Sequence, residues 1–188
     1  MEIVETPLNG CFLLKNTIVR DDRGYFFESY NERKFALATG WQGHFVQDNQ
    51  SHSGFGVIRG LHFQKGEHAQ AKLVRVLQGR VLDVVLDIRP GSATFGKHYA
   101  VELSDEDQHQ LFIPRGFAHG FSVLSPSATF FYKCDNYYDR NAEGGLFPLD
   151  PEFGIDWGIP QGKIVLSPKD LDAEKWNTFK SWWTDPNN

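Results

Sequence analysis

"KLVRVLQGRVLDVVLDIRPG", residues 72–91, is the stretch on which the fold turns. Two runs rich in β-branched residues flank Gln78-Gly79, a two-residue loop in which the glycine supplies a positive φ, so the segment is predicted to be a β-hairpin. In the second run Val81, Asp83, Val85 and Asp87 alternate with Leu82, Val84, Leu86 and Ile88. A period of two makes this a strand with one wholly apolar face and one face carrying two acids.

Outward from this segment the same pattern recurs. Short strands are predicted at 95–103 (FGKHYAVEL), 109–114 (HQLFIP) and 120–124 (GFSVL), separated by the turns SDED, PRG and SPS. The aromatic bursts GYFFESY (24–30), GHFVQ (43–47) and ATFFYKCDNYY (128–138) also read as strands. Evenly spaced short strands predict a mainly β sandwich or a small jelly-roll barrel. Helical signal is confined to two places. NERKFALATG (31–40) has Asn31 as N-cap and Gly40 as stop, giving a short helix near residues 31–39. The tail from 167 to 183 opens with Ser167, Pro168 at the first helical position and Asp170 three residues after the cap, the capping-box layout of a C-terminal helix. Helices therefore decorate a β core.

With 188 residues, 40% of them hydrophobic, and no repeat, low-complexity tract or linker, one domain spanning 1–188 is expected. No run approaches the ~18 apolar residues of a membrane span, and MEIVETPLNG lacks the basic-then-apolar layout of a secretory signal, so a cytoplasmic protein without a membrane partner is expected. Cys11 and Cys134 lie far apart with no C-x-x-C, which reads as two reduced, buried thiols rather than a disulfide or zinc ribbon. A net charge of -5 gives no pull toward nucleic acid or anionic lipid. Any anionic ligand must be held by a local cluster.

Polar groups at inward-facing positions of a barrel carry the chemical information. Lys72 shares parity with Val74 and Val76, and either snorkels out at the strand's start or points at a ligand. Arg59 and His62, in VIRGLHFQ (57–64), fall on opposite faces of a regular strand; they serve one pocket only if Gly60 marks a bulge or Arg59 reaches around an edge. FIPRGFAHGF (112–121), with His119 three residues after Gly116, resembles the second sequence motif of the cupin superfamily, small jelly-roll barrels that often hold a metal. The first such motif needs His-x-His. Here it reads His62-Phe63-Gln64, an amide in place of the second ligand, and Glu67 and His68 do not restore the spacing. No metal is therefore expected, and no G-x-G-x-x-G or P-loop follows a strand, so no cofactor is expected. An imidazole, a lysine, arginines and tyrosines at a barrel mouth suit proton abstraction beside a carbonyl: histidine as base, with an ordinary pKa of about 6.5, a cation on the enolate oxygen, and a phenol to return a proton from the other side.

The motifs RDDRGYFFESYN, FVQDNQSHSGFGVIRGLHFQ, AKLVRVLQGRVLDVVLDIRPGSATFGKH, IPRGFAHGF, FYKCDNYY, DPEFGIDW and LSPKD, in this order from about residue 3 to residue 171, together resemble the dTDP-4-dehydrorhamnose 3,5-epimerase family of the cupin superfamily. The resemblance implies a cupin-type jelly-roll barrel, a cytoplasmic homodimer, and a dTDP-4-keto-6-deoxyhexose as substrate on the route to dTDP-L-rhamnose. By it, His62 is the base at C3 and C5, Asp170 its orienting carboxylate, Lys72 the holder of the enolate at O4, and Tyr132 the proton donor on the opposite sugar face. Arg23, Glu28, Gln47, Asp48, Asn49, Arg59, His119, Glu143 and Lys169 match positions that contact the ligand, and Tyr138 matches an aromatic that stacks on thymine. Asp170 is also the predicted helix cap, and the two roles are compatible. Arg23 and Glu28 could equally be a solvated pair near a turn.

Where the family usually reads close to WNDP ahead of GIDWP, this chain has FPLDPEFGIDWGIP (147–160). Relatives with the same core motifs epimerise only C3 or only C5, so a mono-epimerase of a related nucleotide sugar stays open as an alternative. So do a metal-dependent cupin oxygenase and a non-catalytic sugar-nucleotide-binding cupin.

Overall fold

The computed structural model describes residues 1–183. Four short strands come first, β1 (Glu2–Glu5), β2 (Phe12–Lys15), β3 (Val19–Asp21) and β4 (Gly24–Phe26), then helix α1 (Glu32–Thr39). The body follows as β5 (Gln47–Gly54), β6 (Ile58–Gln64), β7 (Lys72–Gln78), β8 (Arg80–Asp87), β9 (His98–Ser104), β10 (Gln110–Ile113), β11 (Phe117–Val123), β12 (Ser127–Cys134) and β13 (Glu143–Gly145). The chain closes with α2 (Pro168–Leu171) and α3 (Trp176–Trp183). Two antiparallel sheets, ordered β1-β2-β10-β7-β12-β5 and β13-β6-β11-β8-β9, face each other as a cupin-type jelly-roll barrel, and β3 pairs β4 outside it.

Residues 72–91 form two strands, as predicted, but not a hairpin. β7 runs between β10 and β12 in one sheet, and β8 between β11 and β9 in the other. Val74 and Val76 therefore meet Val81 and Val85 across the barrel core instead of standing beside them on one sheet. Gly79 is the corner: its φ is +82°, and a Cβ there would lie 2.2 Å from the Ser127 carbonyl oxygen. Two-residue glycine loops serve hairpins and inter-sheet corners alike, so local chemistry could not separate them; burial on both faces of β8 does. Its acid-bearing face turns into the barrel, and Val84 and Leu86 on the other pack under Trp157, Trp176 and Phe179 of the C-terminal segment. Burial of that second face contributes about 25 cal/mol per Å² of apolar surface removed from water.

α1 matches its prediction in detail. Asn31 Oδ1 accepts from the Lys34 backbone N–H at 3.1 Å, Gly40 ends the helix at φ +74°, and Phe35 is buried against Leu73 and Phe112 of the six-stranded sheet. Other predicted elements differ: GYFFESY is a strand only over Gly24–Phe26, and ATFFYKCDNYY only up to Cys134. GHFVQ is not a strand before Gln47; Phe45 packs in the aromatic cluster with Trp41 and Phe35, and the strand is the polar run after it, at the sheet edge. The C-terminal helix is two helices. Residues 172–175 interrupt it because Glu174 bridges Leu146 and its carbonyl accepts from Phe147 N at 2.8 Å, while Asp150 Oδ2 caps the restart by accepting from Trp176 N at 2.8 Å. Cys11 and Cys134 are free and buried. Among the described residues no helix is long and apolar enough to cross a membrane.

Candidate active site

The site begins with an irregularity in β6. His62 is paired with His119 of β11, but three residues earlier Arg59 is paired with Phe121, only two residues further along the partner. The extra residue is a bulge, and it places Arg59 and His62 on one face. Gly60 makes it possible: its φ is +125°, and a Cβ would stand 2.5 Å from Gly120 Cα. The conditional reading of Gly60 is met by geometry.

Arg59, His62 and His119 from the five-stranded sheet, and Asn49, Ser51, Lys72 and Tyr132 from the six-stranded sheet, line one cavity of about 230 Å³ closed below by Phe121 and Phe130. His62 Nε2 lies 2.6 Å from Asp170 Oδ1. Asp170 is also the cap partner: Ser167 Oγ accepts from its backbone N–H at 3.1 Å and donates to Oδ2 at 2.7 Å. Burial raises the Asp170 carboxyl, but the hydrogen bonds from His62 and Ser167 outweigh it and hold it below the ordinary carboxylate value. A fixed carboxylate orients the imidazole and stabilises its protonated form.

Across the cavity, burial pushes the Tyr132 phenol up to about 12, so it keeps its proton at neutral pH. The Lys72 ammonium sits 5.6 Å from the Tyr132 ring centroid. Burial lowers its affinity for a proton below that of a surface lysine, and the surrounding acidic groups, Cys134, Asp83 and Glu143, only partly offset this. Arg59 Nε donates to Ser53 Oγ at 2.9 Å, which leaves the two terminal nitrogens of the guanidinium for another acceptor.

At the rim, Tyr138 Oη donates to Glu143 Oε2 at 2.9 Å, and Lys169 pairs with the same carboxylate. The QDN run divides by alternation. Asn49 faces the cavity, Gln47 bonds to Asn49 Oδ1 and to the Tyr138 backbone, and the Asp48 side chain lies on the other face with Lys133 at 3.0 Å. Arg23 and Glu28 are not brought to this cavity. Arg23 is exposed and bonded to Asp21 in the β3–β4 turn, and Glu28 pairs with Lys34 beside a separate cavity under α1.

Asp83 lies outside the site residues that the sequence singles out, yet it belongs to the site. It is fully buried, its Oδ2 lies 2.8 Å from His119 Nε2, and Oδ1 has no hydrogen-bond partner. The signal was there: an acid on the face of β8 that also carries Val81 and Val85. Only the closed barrel turns this face inward, beside His119 on the neighbouring strand β11. Burial lowers the His119 pKa, against the pull of Asp83. Among the described residues no three His, Cys, Asp or Glu side chains converge as a metal cage would need, and Gln64, in the second ligand position, bonds to the Asp139 backbone.

A jelly-roll cavity with an oriented imidazole on one wall, a protonated phenol on the other and an ammonium beside it is equipped to move protons at carbon, the chemistry of an isomerase. The sequence profile of dTDP-4-dehydrorhamnose 3,5-epimerase matches residues 5–178. An Escherichia coli relative of that name is 48% identical over 170 residues, 90% of this chain and 91% of its own. The crystal structure of the Elizabethkingia anophelis enzyme of that name superposes with a TM-score of 0.91 at 54% identity, covering 95% of this chain and 97% of that one. The Legionella pneumophila dTDP-6-deoxy-D-glucose-3,5-epimerase, in complex with dTDP-4-keto-L-rhamnose, gives a TM-score of 0.92 at 43% identity over 97% and 96% of the two chains. This chain belongs to the dTDP-4-dehydrorhamnose 3,5-epimerase family.

Proposed function

We propose that the chain converts dTDP-4-dehydro-6-deoxy-α-D-glucose to dTDP-4-dehydro-β-L-rhamnose by proton removal and return at C3 and C5. The observation that carries this is the placement of His62, held by Asp170, and Tyr132 on facing walls of one cavity. His62 takes the proton from carbon, and the electron pair moves onto O4 as an enolate beside Lys72. Tyr132 then protonates the opposite face of that carbon. His62 gives its proton to solvent and the phenolate regains one, so each epimerisation balances. Inversion needs both walls, because a single group would return the proton to the face it left.

Arg59 and Lys169 hold the diphosphate, with Arg59 turned by Ser53; His119 and Asn49 meet the sugar, and Tyr138 stacks on the thymine. In this reading residues 1–188 act as one epimerase domain in the cytoplasm. The chain works as a homodimer, and the exposed β3–β4 turn is the surface that a second copy covers. Arg23 and Glu28, which do not reach this chain's cavity, then meet ligand only through that second copy.

The test is incubation with the 4-keto substrate in heavy water, with a chelator and without nicotinamide, following deuterium at C3 and C5 by NMR. Exchange at both carbons is expected; exchange at one selects a mono-epimerase, exchange that dies with the chelator selects a metal enzyme, and binding without exchange selects a silent sugar-nucleotide module. His62→Asn should abolish exchange at both carbons. Tyr132→Phe should keep some exchange and block inversion. Normal deuterium uptake by the His62 variant would remove His62 as the base.

A further inference from the structure

Gln64 ends β6 two residues after His62, buried, and takes no part in the chemistry described above. Its Oε1 accepts the backbone N–H of Asp139 at 3.0 Å. From the other sheet, Gln47 Oε1 accepts the N–H of Tyr138 at 3.0 Å. Two successive peptide N–H groups of one loop are thus held by two amide side chains, one from each wall of the barrel. The loop is closed on itself as well. Asp139 Oδ1 accepts from Asn141 N at 2.7 Å and Ala142 N at 3.2 Å, and the Ala142 carbonyl accepts from Lys65 N, next to Gln64, at 2.8 Å. The half-exposed Tyr138 ring is the side chain that this clamp presents at the cavity rim, with its hydroxyl tied to Glu143.

We propose that Gln64 is a positioning residue for the nucleoside half of the substrate: with Gln47 it fixes the 136–142 loop so that the Tyr138 ring is already set as a stacking platform. This rests on the reading of Tyr138 as the surface that receives the thymine. A neutral acceptor suits the position, since Glu143 is its cross-strand partner and the N–H it binds is that of another acid, Asp139. A loop ordered before binding spares the ligand the entropy of ordering it, so the effect belongs in affinity and KM, with kcat little changed.

The test compares Gln64→Met, which keeps the length and loses the acceptor, with Tyr138→Ala. Calorimetry with dTDP reads the whole nucleotide; inorganic pyrophosphate reads the anion site alone and reports that the pocket is folded. For Gln64→Met we expect dTDP affinity to fall about tenfold, the scale of one lost base stack, with pyrophosphate affinity within about twofold of wild type. KM should rise with it, and kcat should stay within about twofold of wild type. Unchanged dTDP affinity in Gln64→Met, alongside a loss in Tyr138→Ala, would overturn the proposal and leave the platform reading intact. Equal loss for both ligands, or a fall in kcat with KM unchanged, would overturn it too. Wild-type dTDP affinity in Tyr138→Ala would show that the stacking reading itself had failed.

Discussion

Lys72 shows how burial and neighbouring charge compete over a single side chain. Burial favours its neutral amine, and the acidic groups around it favour the ammonium, with burial ahead. An enolate needs the ammonium, because a charged donor stabilises negative charge on O4 where a neutral amine does little. A lowered pKa means the proton is lost at lower pH than from an ordinary lysine, so activity should decline on the alkaline side before the ordinary lysine value of about 10.4 is reached. Lys72→Met should lower kcat roughly 10²–10³-fold and remove that alkaline limb, as measured in a pH profile of kcat; an unchanged limb would assign it to another group. From sequence, parity with Val74 and Val76 already set Lys72 apart. Asp83, the acid bonded to His119, stands in the alternation of the next run, yet its meaning depends on which face of β8 turns inward.

At the scale of the element, β6 is the informative strand. A regular strand would send Arg59 and His62 to opposite faces, and the bulge at Gly60 brings them to one. An alanine at Gly60 would meet a backbone conformation hostile to L side chains and a carbon 2.5 Å away on Gly120, also backbone. Gly60→Ala should cost about 2–4 kcal/mol in a denaturant titration. Any folded fraction should lose activity as well as stability, since relieving the clash moves Arg59 relative to His62. Full activity in the variant would mean that the bulge does not set the site. The α1 helix and the Ser167 cap were legible because capping is local chemistry, decided within a few residues. The break after α2 was not, because the group that restarts the helix, Asp150, arrives from a distant loop.

For the whole molecule, an exposed apolar ribbon stands out at β3 and β4. Val19, Tyr25 and Phe26 are exposed, Phe26 at 73%, beside Arg23 at the turn between the strands. Apolar side chains grouped this way on a two-stranded ribbon outside both sheets are what a second subunit would remove from water. On the homodimer proposed above, Phe26→Asp should shift the protein toward monomer in sedimentation velocity, leave its circular dichroism unchanged and lower activity. A variant that stays dimeric and fully active would place the interface elsewhere.

The order of strands and turns, the β core with two helical decorations, and the residue types available for proton transfer were determined by the sequence itself, because alternation, turn glycines and caps act over a few residues. Tertiary structure alone decided that residues 72–91 turn a corner between sheets, that the Asp83 face of β8 points inward, and that Asp170 reaches His62 across 108 positions of chain. Those outcomes depend on which surfaces lose water together, and that is a property of the closed barrel, not of any short stretch within it.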